Sequence, residues 1–124
     1  MPYNDRIETR IKKIISPWEN TEDKNMFGGI CHLLKGNMFC GVYKDFLILR
    51  LGEKAAEKAL SMSHVRPFDI TGRAMKGWIM MEQNGFRSDH ELTEWLKRAR
   101  ILCISHDAWL FLLQKTSEWR SQQH

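Results

Sequence analysis

The chain has 124 residues, of which 43% are hydrophobic and 27% charged, the composition of one globular domain rather than of a disordered or repetitive chain. Nineteen basic residues against fifteen acidic leave a formal charge of +4, which excludes an acidic tail or a histone-like protein and permits only a weak nucleic-acid footprint. No apolar run reaches the ~18 residues of a membrane span. The charged start MPYNDRIETR has no secretory h-region, and three cysteines suit a reducing compartment better than a disulfide framework. A cytoplasmic protein without membrane contact is expected.

Ile7, Ile11, Ile14, Ile15 and Trp18 repeat at a helical period, so residues 5–18 read as an amphipathic helix. Asp5 with Glu8 resembles a capping box, and Ser16-Pro17 is a stop. The polar stretch ENTEDKN at 19–25 reads as a loop. From 26 to 51 the period changes to short apolar runs around Ile30–Leu34, Met38–Val42 and Phe46–Leu51, separated by Gly36-Asn37 and Lys44-Asp45. These are three antiparallel strands with tight turns. Gly41 within the second strand marks a bulge or a close backbone approach.

Gly52 breaks the pattern. Residues 53–61 read as a short helix with Ala55, Ala56, Ala59 and Leu60 turned inward. Residues 65–70 are a short extended segment, Thr71-Gly72 a turn and residues 77–81 a strand, closed by Asn84-Gly85. Ser88 with Glu91 is a capping box for a helix carrying Leu92, Trp95, Leu96, Ala99, Leu102 and Cys103. The fold class is therefore α+β, in the order α-β-β-β-α-β-β-α with an antiparallel sheet and an extra C-terminal helix. Residues 1–104 form the domain and 105–124 a helical extension of it.

No catalytic constellation appears. Ser61, Ser63 and Ser105 lie on no G-x-S-x-G elbow, and no Gly-rich phosphate loop is present. Cys31-His32, Cys40, and Cys103 with His106 lack metal-ligand spacing, and buried thiols are their plainer explanation. No enzyme, cofactor or metal is expected. Arg66, Arg73 and Lys76 against Asp69, with Phe68 and Trp78 nearby, form a basic, aromatic turn suited to phosphates or a base. The alternative is that Arg66 or Arg73 pairs with Asp69 to pin the turn. Lys97, Arg98 and Arg100 share a helix with Glu91 and Glu94, as a solvated face does. Trp109, Leu110, Phe111, Leu112 and Leu113 are consecutive, so a helix bearing them is apolar most of the way round. They suit either a self-association surface, and hence a homodimer, or packing on the sheet.

Two stretches resemble the N-terminal domain of the TfoX/Sxy family, bacterial proteins associated with regulating competence for DNA uptake. NMFGGICHLLKGNMFCGVYKDFLILRLG at 25–52 is similar to M-F-G-G…G-x-M-F-x-G-V…L-x-L-R-x-G. HVRPFDITGRAMKGW at 64–78 is similar to R-P-[FM]-D-[FI]-T-G-R-x-M-K-G-[WY]. The likeness runs from about residue 8 to 104. It implies a five-stranded sheet with helices in α-β3-α-β2-α order, similar to type III secretion chaperones. It also implies a regulatory or adaptor role through an unidentified protein partner, and no catalytic residues. Family regulators carry a second, C-terminal domain, for which the residues after 104 are too few. Met26, Phe27, Gly28, Gly29, Arg50, Arg66, Pro67, Asp69, Gly72, Arg73, Met75, Lys76 and Gly77 match the motifs. Among them Arg50, Arg66, Asp69, Arg73 and Lys76, with Trp78, form the candidate binding surface. Direct nucleic-acid binding by the basic loop, and a small-ligand site or unrecognised enzyme, are the alternatives.

Overall fold

The computed structural model describes residues 3–26, 28–70 and 72–103. Helix α1 (Asp5–Ile15) precedes strands β1 (Thr21–Met26), β2 (Gly29–Leu34), β3 (Asn37–Tyr43) and β4 (Phe46–Arg50). Helix α2 (Glu53–Ala59), β5 (Val65–Pro67) and β6 (Trp78–Met81) follow, and α3 covers residues 89–103. The six strands form one antiparallel sheet in the order β1-β2-β3-β4-β6-β5. The α+β class agrees with the sequence pattern, and so does the succession of elements apart from one added strand, β1, which makes the sheet six-stranded where five strands were expected. His106, Trp109, Leu110, Phe111, Leu112 and Leu113 lie outside the described residues, as do Phe27 and Thr71.

Strand β1 occupies the stretch expected to be a loop. Its register, from Thr21 opposite Leu34 to Met26 opposite Gly29, is supplied by β2. Five of its six residues are exposed, so it needs no apolar alternation. Charge is what an open sheet edge tolerates best. The β2–β3 turn falls on Lys35-Gly36, both with positive φ, one residue before Gly36-Asn37. In β3 the pairing steps from His32–Cys40 to Leu33–Met38. Phe39 is thus the bulged residue, which lets consecutive Phe39 and Cys40 enter the same core. Gly41 is the close approach: a Cβ there would lie 2.7 Å from the Ile30 carbonyl oxygen.

The helices share one core on one face of the sheet. Ile7, Ile11 and Ile15 of α1, Ala56 and Ala59 of α2, and Leu92, Leu96 and Ala99 of α3 pack there with Ile30, Val42, Leu47, Leu49, Ile79 and Met81. The alternate residues of the strands face the other way. Ile48 and Met80 join Phe68 there in a smaller cluster edged by Tyr43, Phe46 and Trp78. Ala55 and Leu60 of the α2 region are exposed, not inward. Seven residues of helix turn only one narrow stripe, Ala56 and Ala59, to the core.

Helix α1 is capped by Asn4, whose Oδ1 accepts from the amides of Arg6 at 2.9 Å and Ile7 at 3.3 Å. The cap lies one residue before Asp5, so Glu8 is not the partner in a capping box. It falls one position later and turns inward. There Glu8 Oε1 meets His32 Nε2 of β2 at 2.5 Å, both side chains buried. Lys12 Nζ lies 3.8 Å from Glu8 Oε2 and 3.9 Å from Asp23 Oδ2 of β1. Arg10 reaches the start of α3, donating to the Phe86 carbonyl at 2.9 Å and to Asp89 at 3.1 Å. At that start Ser88 and Glu91 exchange the expected hydrogen bonds, Ser88 Oγ accepting from the Glu91 amide at 3.1 Å and Glu91 Oε1 from the Ser88 amide at 3.2 Å.

The buried pair leads to a stability prediction. Glu8→Leu leaves His32 buried without its mate, and His32→Leu leaves Glu8 with only the longer Lys12 contact; each costs about 3 kcal/mol, whereas the double substitution recovers most of that loss. Urea unfolding of the three variants checks this; a double variant as unstable as the two singles added together would mean the pair is not coupled. The cysteines give a second. Burial, and then the charge of Glu8, push the Cys31 thiol up to about 11. Burial foremost holds Cys40 well above the ordinary thiol range. A raised pKa keeps the thiol protonated at neutral pH, so roughly one Cys31 in a thousand is thiolate at pH 8. Mass spectrometry after iodoacetamide treatment at pH 8 is expected to show Cys31 and Cys40 unmodified in the folded protein and modified in urea.

Candidate functional site: the loop between the last two strands

The two motif stretches meet at one point. The Gly77 carbonyl accepts hydrogen bonds from the amides of Leu51 at 2.8 Å and Gly52 at 3.1 Å. Gly77 sits at φ +86°, and a Cβ on it would lie 3.4 Å from Gly52 Cα. A left-handed backbone there suits glycine, and the space beside it would admit a Cβ at ordinary contact distance. Next to this junction Arg50 and Trp78 are register partners. The Arg50 guanidinium carbon lies 5.7 Å from the Trp78 ring centre, a cation–π arrangement. Trp78 also packs on Phe68, with ring centres 5.7 Å apart.

The connection from β5 to β6 is held by its own backbone. Gly72 donates to the Asp69 carbonyl at 2.9 Å, Met75 to Phe68 at 3.0 Å and Trp78 to Met75 at 3.2 Å. Phe68 is buried and anchors the connection to the sheet. Asp69, Arg73 and Lys76 are exposed, as is Met75 at 41%. Among the described residues Arg73 and Lys76 have no ion-pair partner. Lys76 lines a cleft of about 250 Å³ with Glu53, Glu57 and Leu60 of the α2 region.

Arg66 stands apart from this group. Its guanidinium donates to Glu82 Oε1 at 2.6 Å and lies 5.5 Å from the Phe46 ring centre. Its partner is therefore Glu82 and not Asp69, because β5–β6 pairing sets Arg66 opposite Met80, two residues from Glu82 on the same face. The structure thus divides the expected surface into three. Arg50 and Trp78 lie on the sheet, Arg73 and Lys76 on the loop, and Arg66 is neutralised beside β4. On α3, Arg98 and Arg100 each lie 4.7 Å over a tryptophan ring, Trp95 and Trp18 respectively, so these two cations cover apolar surface as well as facing solvent.

Sequence reasoning passed over the Glu8–His32 pair. Its signal was present: His32 alternates with Ile30 and Leu34, and Glu8 sits on the Ile7, Ile11, Ile15 stripe. His32 also lines a cleft of about 310 Å³ with Lys12, Thr21 and Asp23. Among the described residues no three His, Cys, Asp or Glu side chains are placed to hold a metal ion. No helix of the described residues is long and apolar enough to cross a membrane.

Comparison with known proteins gives a family. Neither the curated proteins nor the solved structures contain a match. The profile of the TfoX N-terminal domain matches residues 13–100, well over half of the chain. That span contains both motif stretches, the junction at Gly77 and the whole β5–β6 loop. The chain belongs to the TfoX N-terminal domain family.

Proposed function

We propose that the chain is a non-catalytic regulatory or adaptor module of this competence-related family, acting in the cytoplasm by protein contacts centred on the β5–β6 loop. The observation that carries the reading is a loop that turns cations to solvent without pairing them: among the described residues Arg73 and Lys76 are exposed and have no ion-pair partner. Its backbone is closed by three hydrogen bonds and its anchor is Phe68, yet Arg73, Met75 and Lys76 are all turned to solvent. Two exposed cations beside an exposed methionine offer a partner both charge and apolar area. An odd number of cysteines, three, all buried, suits a reducing compartment. A phosphate-binding stripe is less well supported: Glu82 neutralises Arg66, and Glu53 and Glu57 share a cleft with Lys76.

The test is recovery of partners from the native cell by the tagged chain, quantified by mass spectrometry for wild type and for Arg73→Ala, Lys76→Ala and the double variant. These exposed residues are expected to change folding stability by less than about 0.5 kcal/mol, so losses report on contact. At least a tenfold depletion of specific partners in the double variant is expected. Equal recovery by all four proteins would make the loop structural. Retention of DNA or RNA that falls steeply with salt would transfer the function to nucleic acid.

A further inference from the structure

The two sides of α2 meet different surroundings. Glu53 and Glu57 face the cleft shared with Lys76. The other side, with Ala55 and Lys58, forms one wall of a groove of about 330 Å³ whose opposite wall is Trp95 and Arg98 of α3. Leu51 and Ala59 are buried at its base, and Met62, 42% exposed, stands at its end. Among the described residues the groove is apolar inside and lined by two cations and no carboxylate. Arg98 lies 4.7 Å over the Trp95 ring, and among the described residues Lys58 has no ion-pair partner. Ala55 is the residue an isolated amphipathic α2 would have buried.

We infer that this α2–α3 groove docks an acidic amphipathic segment of a partner protein, its apolar side chains seated between Ala55, Met62 and Trp95 and its carboxylates meeting Lys58 and Arg98. Charge complementarity selects that occupant. A second copy of the chain carries a net +4, so its approach as a whole is disfavoured by the basic rim. Residues 104–124 hold Asp107 and Glu118 against Lys115 and Arg120, so they bring no acidic excess either. An acidic amphipathic segment of another protein satisfies both the apolar wall and its rim. The volume is near the lower end of the range for bound small molecules, room for one or two large side chains rather than a whole helix. The groove lies across α2 from Lys76, so one partner could span both.

The inference rests on the protein-contact reading and is tested separately from it. Two amphipathic peptides with the same Leu and Phe positions, one with Glu and one with Lys at every polar position, are titrated into the full chain. Anisotropy gives the affinity; the amide signals of Ala55 and Met62 and the indole signal of Trp95 give the place. The Glu peptide is expected to bind at least tenfold more tightly than the Lys peptide, to shift those three signals and to weaken with salt. Lys58→Glu with Arg98→Glu is expected to reverse the preference. Ala55→Tyr, which fills the groove without changing charge, is expected to weaken the Glu peptide at least tenfold. Equal or absent binding of the two peptides, or shifts confined to other surfaces, overturns the inference. So does a chain dimer, seen by light scattering, that the peptide dissociates. If the Glu peptide fails while Arg73→Ala and Lys76→Ala still deplete cellular partners, the groove is dismissed and the loop reading stands.

Discussion

The carbonyl of Gly77 joins the parts of the fold that hold the candidate surface. It accepts from both Leu51 and Gly52, so the end of β4, the beginning of α2 and the end of the β5–β6 loop are fixed to one atom. Gly52 and Gly77 both take left-handed backbone, at φ +88° and +86°, and each lies where the chain must reverse against the other. A Cβ at Gly52 would also press on the Leu102 side chain at 3.1 Å, so α3 is seated against the same point. Loop, strand, and two helices are therefore registered together, and the directions in which Arg73, Lys76 and Lys58 project follow from that junction.

Helix α1 is tied to the rest by polar contacts on three sides. Asn4 joins it to the β3–β4 turn, donating to Asp45 at 2.9 Å and, through its amide, to the Lys44 carbonyl at 2.8 Å. Glu8 joins it to β2, and Arg10 to the start of α3. The isoleucine stripe would bury equally well in several rotations or slides of the helix, since apolar contact is non-directional. A buried carboxylate that must meet one imidazole tolerates far fewer. The pair's part is to fix one placement of α1, in keeping with the register role that buried polar groups fill elsewhere.

The molecule presents three kinds of surface. The β1 edge is charged and defends itself against strand addition. The sheet face away from the helices is partly covered by Phe68 and Ile70. The described residues of the loop and the α2–α3 groove carry exposed cations beside apolar side chains. The groove adds concave shape to that charge, and the proposed contacts rest on this combination.

Local rules were enough to place the helices, although α1 and α2 end earlier than the pattern suggested and the cap of α1 is Asn4. The Ser88–Glu91 box, the stop at Ser16-Pro17 and the Leu92–Cys103 spacing each express interactions within one turn or two, and the motif residues located the loop. Other features depend on neighbours far along the chain. Thr21–Met26 is a strand only because β2 offers it a hydrogen-bonding edge; its own side chains carry no alternation. Ala55 is exposed because a seven-residue helix against a curved core has one stripe to bury, and α3 approaches from the side. Glu8 and His32 are paired across 24 positions, and Arg66 chose Glu82 over Asp69 because strand pairing set the distance. Short-range pattern fixed the helices and five of the six strands, since helical and alternating periods are properties of one segment. Strand β1, the pairing of side chains, their exposure and the shape of the candidate surface came from the tertiary structure, because each is a property of two segments meeting and not of either one alone.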